Sequence, residues 1–229
     1  YVVPRECGAS GAAWTEEQVD EWEGVFDNAY AQGVEVSEGG FNIRGWDSSY
    51  TGEALPASDM REWVEGTVSR IGGLSPKRVL EIGCGTGLLL LRLAPGCERY
   101  VGSDLSGEAI GYVGREVSRS EGLSGRVELY RRPAEDLSGI VPGSVDTVVL
   151  NSVVQYFPSA SYLREVLTSV VSLLPDGGSV FVGDVRSLPL LEAFHAAVAL
   201  ARAEAAWDTG EMRRQTRRRM SQERELVLD

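Results

Sequence analysis

From Arg78 to Val185 the chain alternates short apolar runs with longer helical periods, and this alternation admits few folds. Arg78 to Ile82, Arg99 to Asp104, Val127 to Tyr130, Val145 to Leu150 and Ser179 to Val185 each read as a strand. Helical patterns lie between them. One runs from Leu88 to Ala94. A second is opened by Ser106, with Ile110, Val113 and Val117 inward. A third is opened by Ser159, carries Leu163, Val166, Val170 and Leu174 on one side, and is stopped by Pro175 and Gly177-Gly178. A further helix is expected from Leu188 to about Ala206. The run at Val145 is almost wholly β-branched or apolar, which suits a strand covered on both faces. Strands joined by helices pair in parallel through right-handed crossovers. The expected fold is therefore α/β, a mostly parallel sheet with helices on both faces.

The region before this core is organised differently. Residues 1–13 read as a linker, rich in Pro, Gly, Ser and Ala. A helix is expected from Thr15, with Val19, Trp22, Val25, Phe26 and Ala29 on one face. Residues 33–58 have no clear period and read as a structured loop. A helix capped by Ser58 or Asp59 then carries Met60, Trp63, Val64, Thr67, Val68 and Ile71, and Gly72-Gly73 ends it. The expected division is a linker (1–13), a helical and loop lid (14–75), a ligand-binding core (76–206), and a basic helix opening a further extension (207–229).

The segment Val79-Leu80-Glu81-Ile82-Gly83-Cys84-Gly85-Thr86-Gly87 carries the chemistry. A strand ends on an acidic residue, glycines alternate, and a helix begins. That is where an open α/β sheet binds nucleotides, at the carboxyl ends of its strands. A phosphate-binding P-loop needs Lys followed by Ser or Thr after its glycines, and Leu88-Leu89 stands there instead. A dinucleotide site uses G-x-G-x-x-G, whereas here the spacing is G-x-G-x-G. A carboxylate at Glu81 repels a pyrophosphate but attracts the ammonium of a methionine. The pattern Glu81, Gly83, Gly85 and Gly87 thus favours S-adenosylmethionine. Asp104, followed by Leu105, ends the second strand, where a carboxylate can accept both ribose hydroxyls; a helix cap is the other role open to it. Ala134-Glu135-Asp136 falls where adenine would rest, or is an exposed acidic turn.

Composition narrows the partners. A formal net charge of −12 leaves no general basic face for nucleic acid. Arg213, Arg214, Arg217, Arg218, Arg219 and Arg224 form a local exception, either a solvated helix face or a docking surface for an acidic carrier protein. No apolar run approaches the ~20 residues of a membrane span. Cys7, Cys84 and Cys97 make neither a disulfide framework nor a zinc pattern, and His195 stands alone, so no metal is expected and a reducing cytoplasm is. Tyr1 in first place and an apolar finish lead to the expectation of a piece of a larger protein.

The stretches VLEIGCGTG (79–87), VGSDLS (101–106), PAED (133–136), VVLNSVVQYFP (148–158) and GGSVFVGDVRS (177–187) resemble class I, Rossmann-like methyltransferases. GWDSSYTGEALP (45–56), LNSVVQYFPS (150–159) and VGDVRSLPLLEAFH (182–195) narrow the resemblance to methyltransferase domains inserted in adenylation domains of non-ribosomal peptide synthetases. It runs from about Trp22 onward. It implies N-methylation of the α-amine of an aminoacyl group on a phosphopantetheinyl carrier protein, with the adenylation domain as neighbour. Such domains usually continue past the ELVLD at 225–229 into two more strands, so a closing C-terminal β-hairpin is expected to be missing here.

Methyl transfer from a sulfonium needs alignment above all, and a neutral amine. Asn151, Ser152, Gln155 and Tyr156, at or beyond the fourth strand, are expected to crowd one sheet edge with Asp184, Arg186 and His195. Asp184 or His195 is expected to take the proton, and Asn151, Gln155 and Tyr156 to position the amine. His195 is equally compatible with a plain structural role, and Asp184 with Arg186 could form only an ion pair. Tyr50 and Trp46 either close over the cofactor or simply pack. Two other readings stay open: an O-methyltransferase on the same fold, and an inactive scaffold within an adenylation domain.

Overall fold

The computed structural model describes Trp22, Gly24, Asp27, residues 41–204 and residues 206–229. Trp22, Gly24 and Asp27 are helical. The expected linker, most of the helix from Thr15 and the beginning of the loop from residue 33 lie outside the described residues.

Five strands, β1 (Arg78–Ile82), β2 (Arg99–Asp104), β3 (Val127–Arg131), β4 (Thr147–Asn151) and β5 (Ser179–Gly183), form one sheet in the order β3-β2-β1-β4-β5. Every pairing is parallel. The order reverses beside β1, so a crevice opens at the carboxyl ends of β1 and β4. Helices α1 (Ala57–Gly72), α2 (Leu90–Leu93) and α3 (Gly107–Arg119) precede or connect the first strands, and α4 (Ala160–Leu173) crosses from β4 to β5. Two buried apolar clusters follow from this. Val64, Ile71, Val79, Leu90, Tyr100 and Val113 share one; Leu80, Val148, Leu150, Val166 and Val170 share the other. Successive residues of β1, Val79 and Leu80, feed opposite clusters, as the two-residue side-chain period requires.

Local signals placed most elements correctly. Ser106 accepts from the Ala109 N–H and caps α3; Ser159 accepts from the Tyr162 N–H and caps α4. The cap of α1 differs from expectation. Pro56 occupies that position without a side-chain hydrogen bond, and the Ser58 hydroxyl donates to Asp59 instead. Pro presets the first turn and needs no donor there. At the other end Gly73 stays right-handed, and the left-handed residue is Ser75. β4 begins later than Val145, because the Asp146 carboxylate turns back to accept the Lys77 and Arg78 N–H groups.

Beyond β5 the chain makes β6 (Arg186–Ser187), α5 (Leu191–Ala201), α6 (Thr209–Ser221) and β7 (Val227–Leu228). β7 returns beside β6, parallel to it, so the ELVLD segment forms a small sheet of its own. α5 is shorter than the periodicity implied. No described helix is long and apolar enough to cross a membrane.

Candidate active site

At the carboxyl edge of the sheet lies a cavity of about 170 Å³, walled by the β1–α2 loop, the ends of β2 and β4, and Trp22, Trp46 and Trp63. Glu81 is 3% exposed and receives the Tyr100 hydroxyl at 2.9 Å. Burial outweighs that hydrogen bond and pushes its carboxyl up to about 8. A carboxyl so desolvated is primed to ionise against an incoming cation.

The loop after it is shaped by glycine for more than one reason. Gly83, Gly85 and Gly87 all have positive φ (78°, 50° and 78°), which other residues adopt at a cost. A Cβ on Gly83 would stand 2.5 Å from Val153 Cγ2, and one on Gly87 would stand 3.0 Å from Val113 Cγ2. Those two glycines therefore admit neighbouring side chains. Gly87 does not line the cavity, a correction to its expected place against the cofactor; Gly83 and Gly85 do line it. The loop is pinned by the Ser103 carbonyl, which accepts the Gly83 and Cys84 N–H groups at 2.8 and 2.9 Å.

Asp104 also lines the cavity. One carboxylate oxygen accepts the Gly85 N–H at 2.8 Å, and the other the Ser106 N–H at 2.9 Å. Burial raises its pKa, with the nearby Asp27 carboxylate adding to the effect. Each oxygen keeps a further lone pair for a hydroxyl donor. The capping alternative resolves in favour of Ser106, whose side chain does that work.

The other expected site residues divide. Leu105, Ala134, Asn151, Ser152, Gln155 and Tyr156 line the cavity together with Trp46. Glu135 does not; its carboxylate accepts the Tyr162 hydroxyl. Tyr50 stands away from the cavity, edge-on to Phe194 at 6.2 Å, with its carbonyl held by Arg202. Arg186 and His195 are outside as well. Arg186 pairs with Glu223 at 2.8 Å and Glu225 at 2.7 Å, and His195 Nε2 lies 3.1 Å from Glu223. Asp184 pairs with neither. It accepts the Ser152 hydroxyl at 2.6 Å, and Ser152 also receives the Asn151 amide at 3.0 Å. Asp184 thus reaches the cavity through Ser152.

Several residues escaped the sequence reading. Glu223 and Glu225, far along the chain, hold Arg186; Trp63 and Tyr162 complete walls; Arg132 brings a buried guanidinium. The donor set fits S-adenosylmethionine. A buried carboxylate is available for its ammonium, a second acidic group for its ribose, and apolar and aromatic walls for the rest. Among the described residues, no cluster of His, Cys, Asp or Glu could hold a metal ion.

A five-stranded parallel sheet of this order, with this loop on its first strand, defines the class I methyltransferase fold. Residues 80–180 match the family model described as a methyltransferase domain, and the chain carries that enzyme domain. Over all 229 residues it is 45% identical to a region of chondramide synthase cmdD of Chondromyces crocatus, covering 6% of that protein. It is 35% identical over 222 residues, 94% of this chain and 7% of the relative, to the beauvericin nonribosomal cyclodepsipeptide synthetase of Beauveria bassiana. The chain spans less than a tenth of the length of these relatives. The fold is shared with the N-methyltransferase NodS of Bradyrhizobium japonicum in complex with S-adenosyl-L-homocysteine (TM-score 0.54, 20% identity, 73% of this chain and 74% of that one).

Proposed function

We propose that the chain uses S-adenosylmethionine to methylate the α-amine of an aminoacyl thioester carried by a phosphopantetheinyl carrier protein within a non-ribosomal peptide synthetase. The observation that carries the reading is Glu81, a buried carboxyl at the head of a glycine loop, in a cavity with Asp104 and the end of β4. The relatives that cover the whole chain or nearly so are peptide and depsipeptide synthetases by name, which supports the setting. An adenylation domain as neighbour follows from the resemblance of the motifs at 45–56, 150–159 and 182–195.

When bound, the cofactor supplies a methyl group on a positively charged sulfur. The protein's part is placement. Glu81 ionises and holds the ammonium end; Asp104 accepts ribose hydroxyls; Ala134 and Leu105 pack beside the base. Asn151, Gln155 and Tyr156 face the acceptor amine. Gln155 is buried and lines the cavity with Asn151 and Tyr156. The amine must be neutral to attack. Ser152 takes its proton while passing its own to Asp184, the carboxylate 2.6 Å away. His195 and Arg186, tied to Glu223, brace the wall instead of touching substrate. Arg-rich α6 offers the basic surface for an acidic carrier protein, and the formal net charge of −12 speaks against nucleic acid as a partner.

Incubating the protein with an aminoacyl carrier protein and cofactor, then locating the methyl by fragmentation mass spectrometry, tests this. A methyl on the α-nitrogen is expected. A methyl on side-chain oxygen would establish the O-methyltransferase alternative.

A further inference from the structure

Gln155 and Tyr156, which line the cavity, belong to a short 3-10 turn after β4, Val154–Tyr156. Its own hydrogen bonds are few. The Tyr156 N–H donates to the Val153 carbonyl at 3.0 Å, and the Phe157 N–H to the Val154 carbonyl at 3.1 Å. Such turns have poor hydrogen-bond geometry and hold little by themselves. Their rigidity has to come from what packs behind them.

Behind this one lies the segment 223–228. The Leu226 N–H donates to the Gln155 carbonyl at 2.6 Å, a backbone bond between residues far apart in sequence. Leu226 and Leu228 pack on the apolar cluster that includes Val154 and Phe157, the neighbours of Gln155 and Tyr156. The segment is itself anchored. Val227 and Leu228 run parallel to Arg186 and Ser187, and the Leu188 N–H donates to the Leu228 carbonyl at 2.7 Å. Glu225 accepts Arg186 Nη1 at 2.7 Å, and Arg186 Cζ stands 4.6 Å from the centre of the Phe194 ring on α5. The charge of Glu225 is felt on the cavity side too. Burial first and this carboxylate second push the Tyr156 phenol up to about 12.

The cofactor half of the cavity is held by other bonds. The Ser103 carbonyl pins Gly83 and Cys84, and Asp104 accepts the Gly85 N–H. The two halves are therefore separable. We propose that Leu226 and Glu225 are positioning residues: from outside the cavity they set where Gln155 and Tyr156 stand, and so govern the acceptor but not the cofactor. The proposal rests on the reading of those two residues as facing the acceptor amine. A small displacement of aligning groups is enough to slow a transfer that depends on orientation.

The variants that test it are L226P, which removes the N–H, L226A, which keeps the N–H and removes the packing, E225Q and E225D. Hydrogen exchange at the Tyr156 and Phe157 amides reads the turn directly, with no acceptor present. Calorimetry with S-adenosylhomocysteine reads the cofactor half, and steady-state methylation of an aminoacyl carrier protein reads the acceptor half. L226P is expected to speed exchange at both amides and to raise KM for the aminoacyl carrier protein, each roughly tenfold. Its affinity for S-adenosylhomocysteine should stay nearly unchanged, and L226A should show the smaller effect. E225Q should raise the same KM, and E225D should restore it. Unchanged exchange and KM in L226P would overturn the proposal. So would a loss of S-adenosylhomocysteine affinity by the same factor, since the segment would then support the domain as a whole. Should L226P fail to fold, E225Q carries the comparison, and an E225Q protein equal to wild type in exchange and KM overturns the proposal. Wild type that binds S-adenosylhomocysteine but methylates no α-amine would overturn the acceptor reading itself.

Discussion

Ser152 and Asp184 are both left-handed, at φ 55°, and are joined by a 2.6 Å hydrogen bond across the ends of β4 and β5. Neither is glycine, so both strands end on backbone that is costly to hold. The Ser152 N–H also donates to the Gly183 carbonyl at 3.1 Å, which fastens one bend to the other. The result carries a carboxylate to the edge of the cavity. Replacing Asp184 by Gly relieves the backbone and removes the carboxylate; replacing it by Ala removes the carboxylate and keeps the strain. Asp184→Ala is expected to unfold at lower stability than Asp184→Gly by about 1 kcal/mol. Both are expected to lose methyl transfer on the order of a hundredfold. Chemical denaturation and single-turnover rates separate the two effects.

Glu81 gives the free protein a pH dependence of known sign. In the folded chain it keeps its proton up to about pH 8, whereas the unfolded chain releases it near 4.5. Between those values the unfolded state binds fewer protons, so stability falls as pH rises and then levels off above about 8. Glu81→Gln cannot ionise. Its stability is expected to match wild type near pH 4.5 and to exceed it at pH 8 by on the order of a few kcal/mol, measured by urea unfolding without ligand.

Gly83 combines a positive φ with contact against Val153. Gly83→Ala is expected to cost about 2–3 kcal/mol, from backbone strain and from overpacking together. Adding Val153→Ala removes the steric part only. The double variant should therefore recover about half of the loss relative to the sum of the single changes, in a double-mutant cycle of unfolding free energies.

Glu223 holds two groups at once, Arg186 at 2.8 Å and His195 at 3.1 Å, in a mostly buried corner. Glu223→Ala takes this partner from His195 while Arg186 keeps Glu225, and is expected to destabilise the protein by about 1–2 kcal/mol, as loss of a charged hydrogen-bond partner does. The same variant should leave affinity for S-adenosylhomocysteine nearly unchanged, since none of the three lines the cavity.

What could be read from the chain beforehand was what neighbours in sequence decide. The strand at Arg78, the glycine loop, and the caps at Ser106 and Ser159 depend on residues within a few positions. What could not be read depends on distant pairs. Gly87 reads as a ligand contact until Val113, 26 positions on in sequence, is seen filling the space beside it. His195 reads as crowding the site until the fold places it outside the cavity, beside Glu223. Arg131 and Arg132 are neighbours in sequence, and only the fold shows one of them turned inward. Tyr50 follows the same logic: an aromatic that could close over the cofactor packs on α5 in space.

Calorimetric titration of S-adenosylhomocysteine at pH 7, repeated in buffers of different ionisation enthalpy, tests the account at its root. Wild type is predicted to bind and to release roughly one proton as Glu81 ionises, while Glu81→Gln binds far more weakly and releases none. Absence of binding by wild type, or equal binding by the Gln variant, would contradict it.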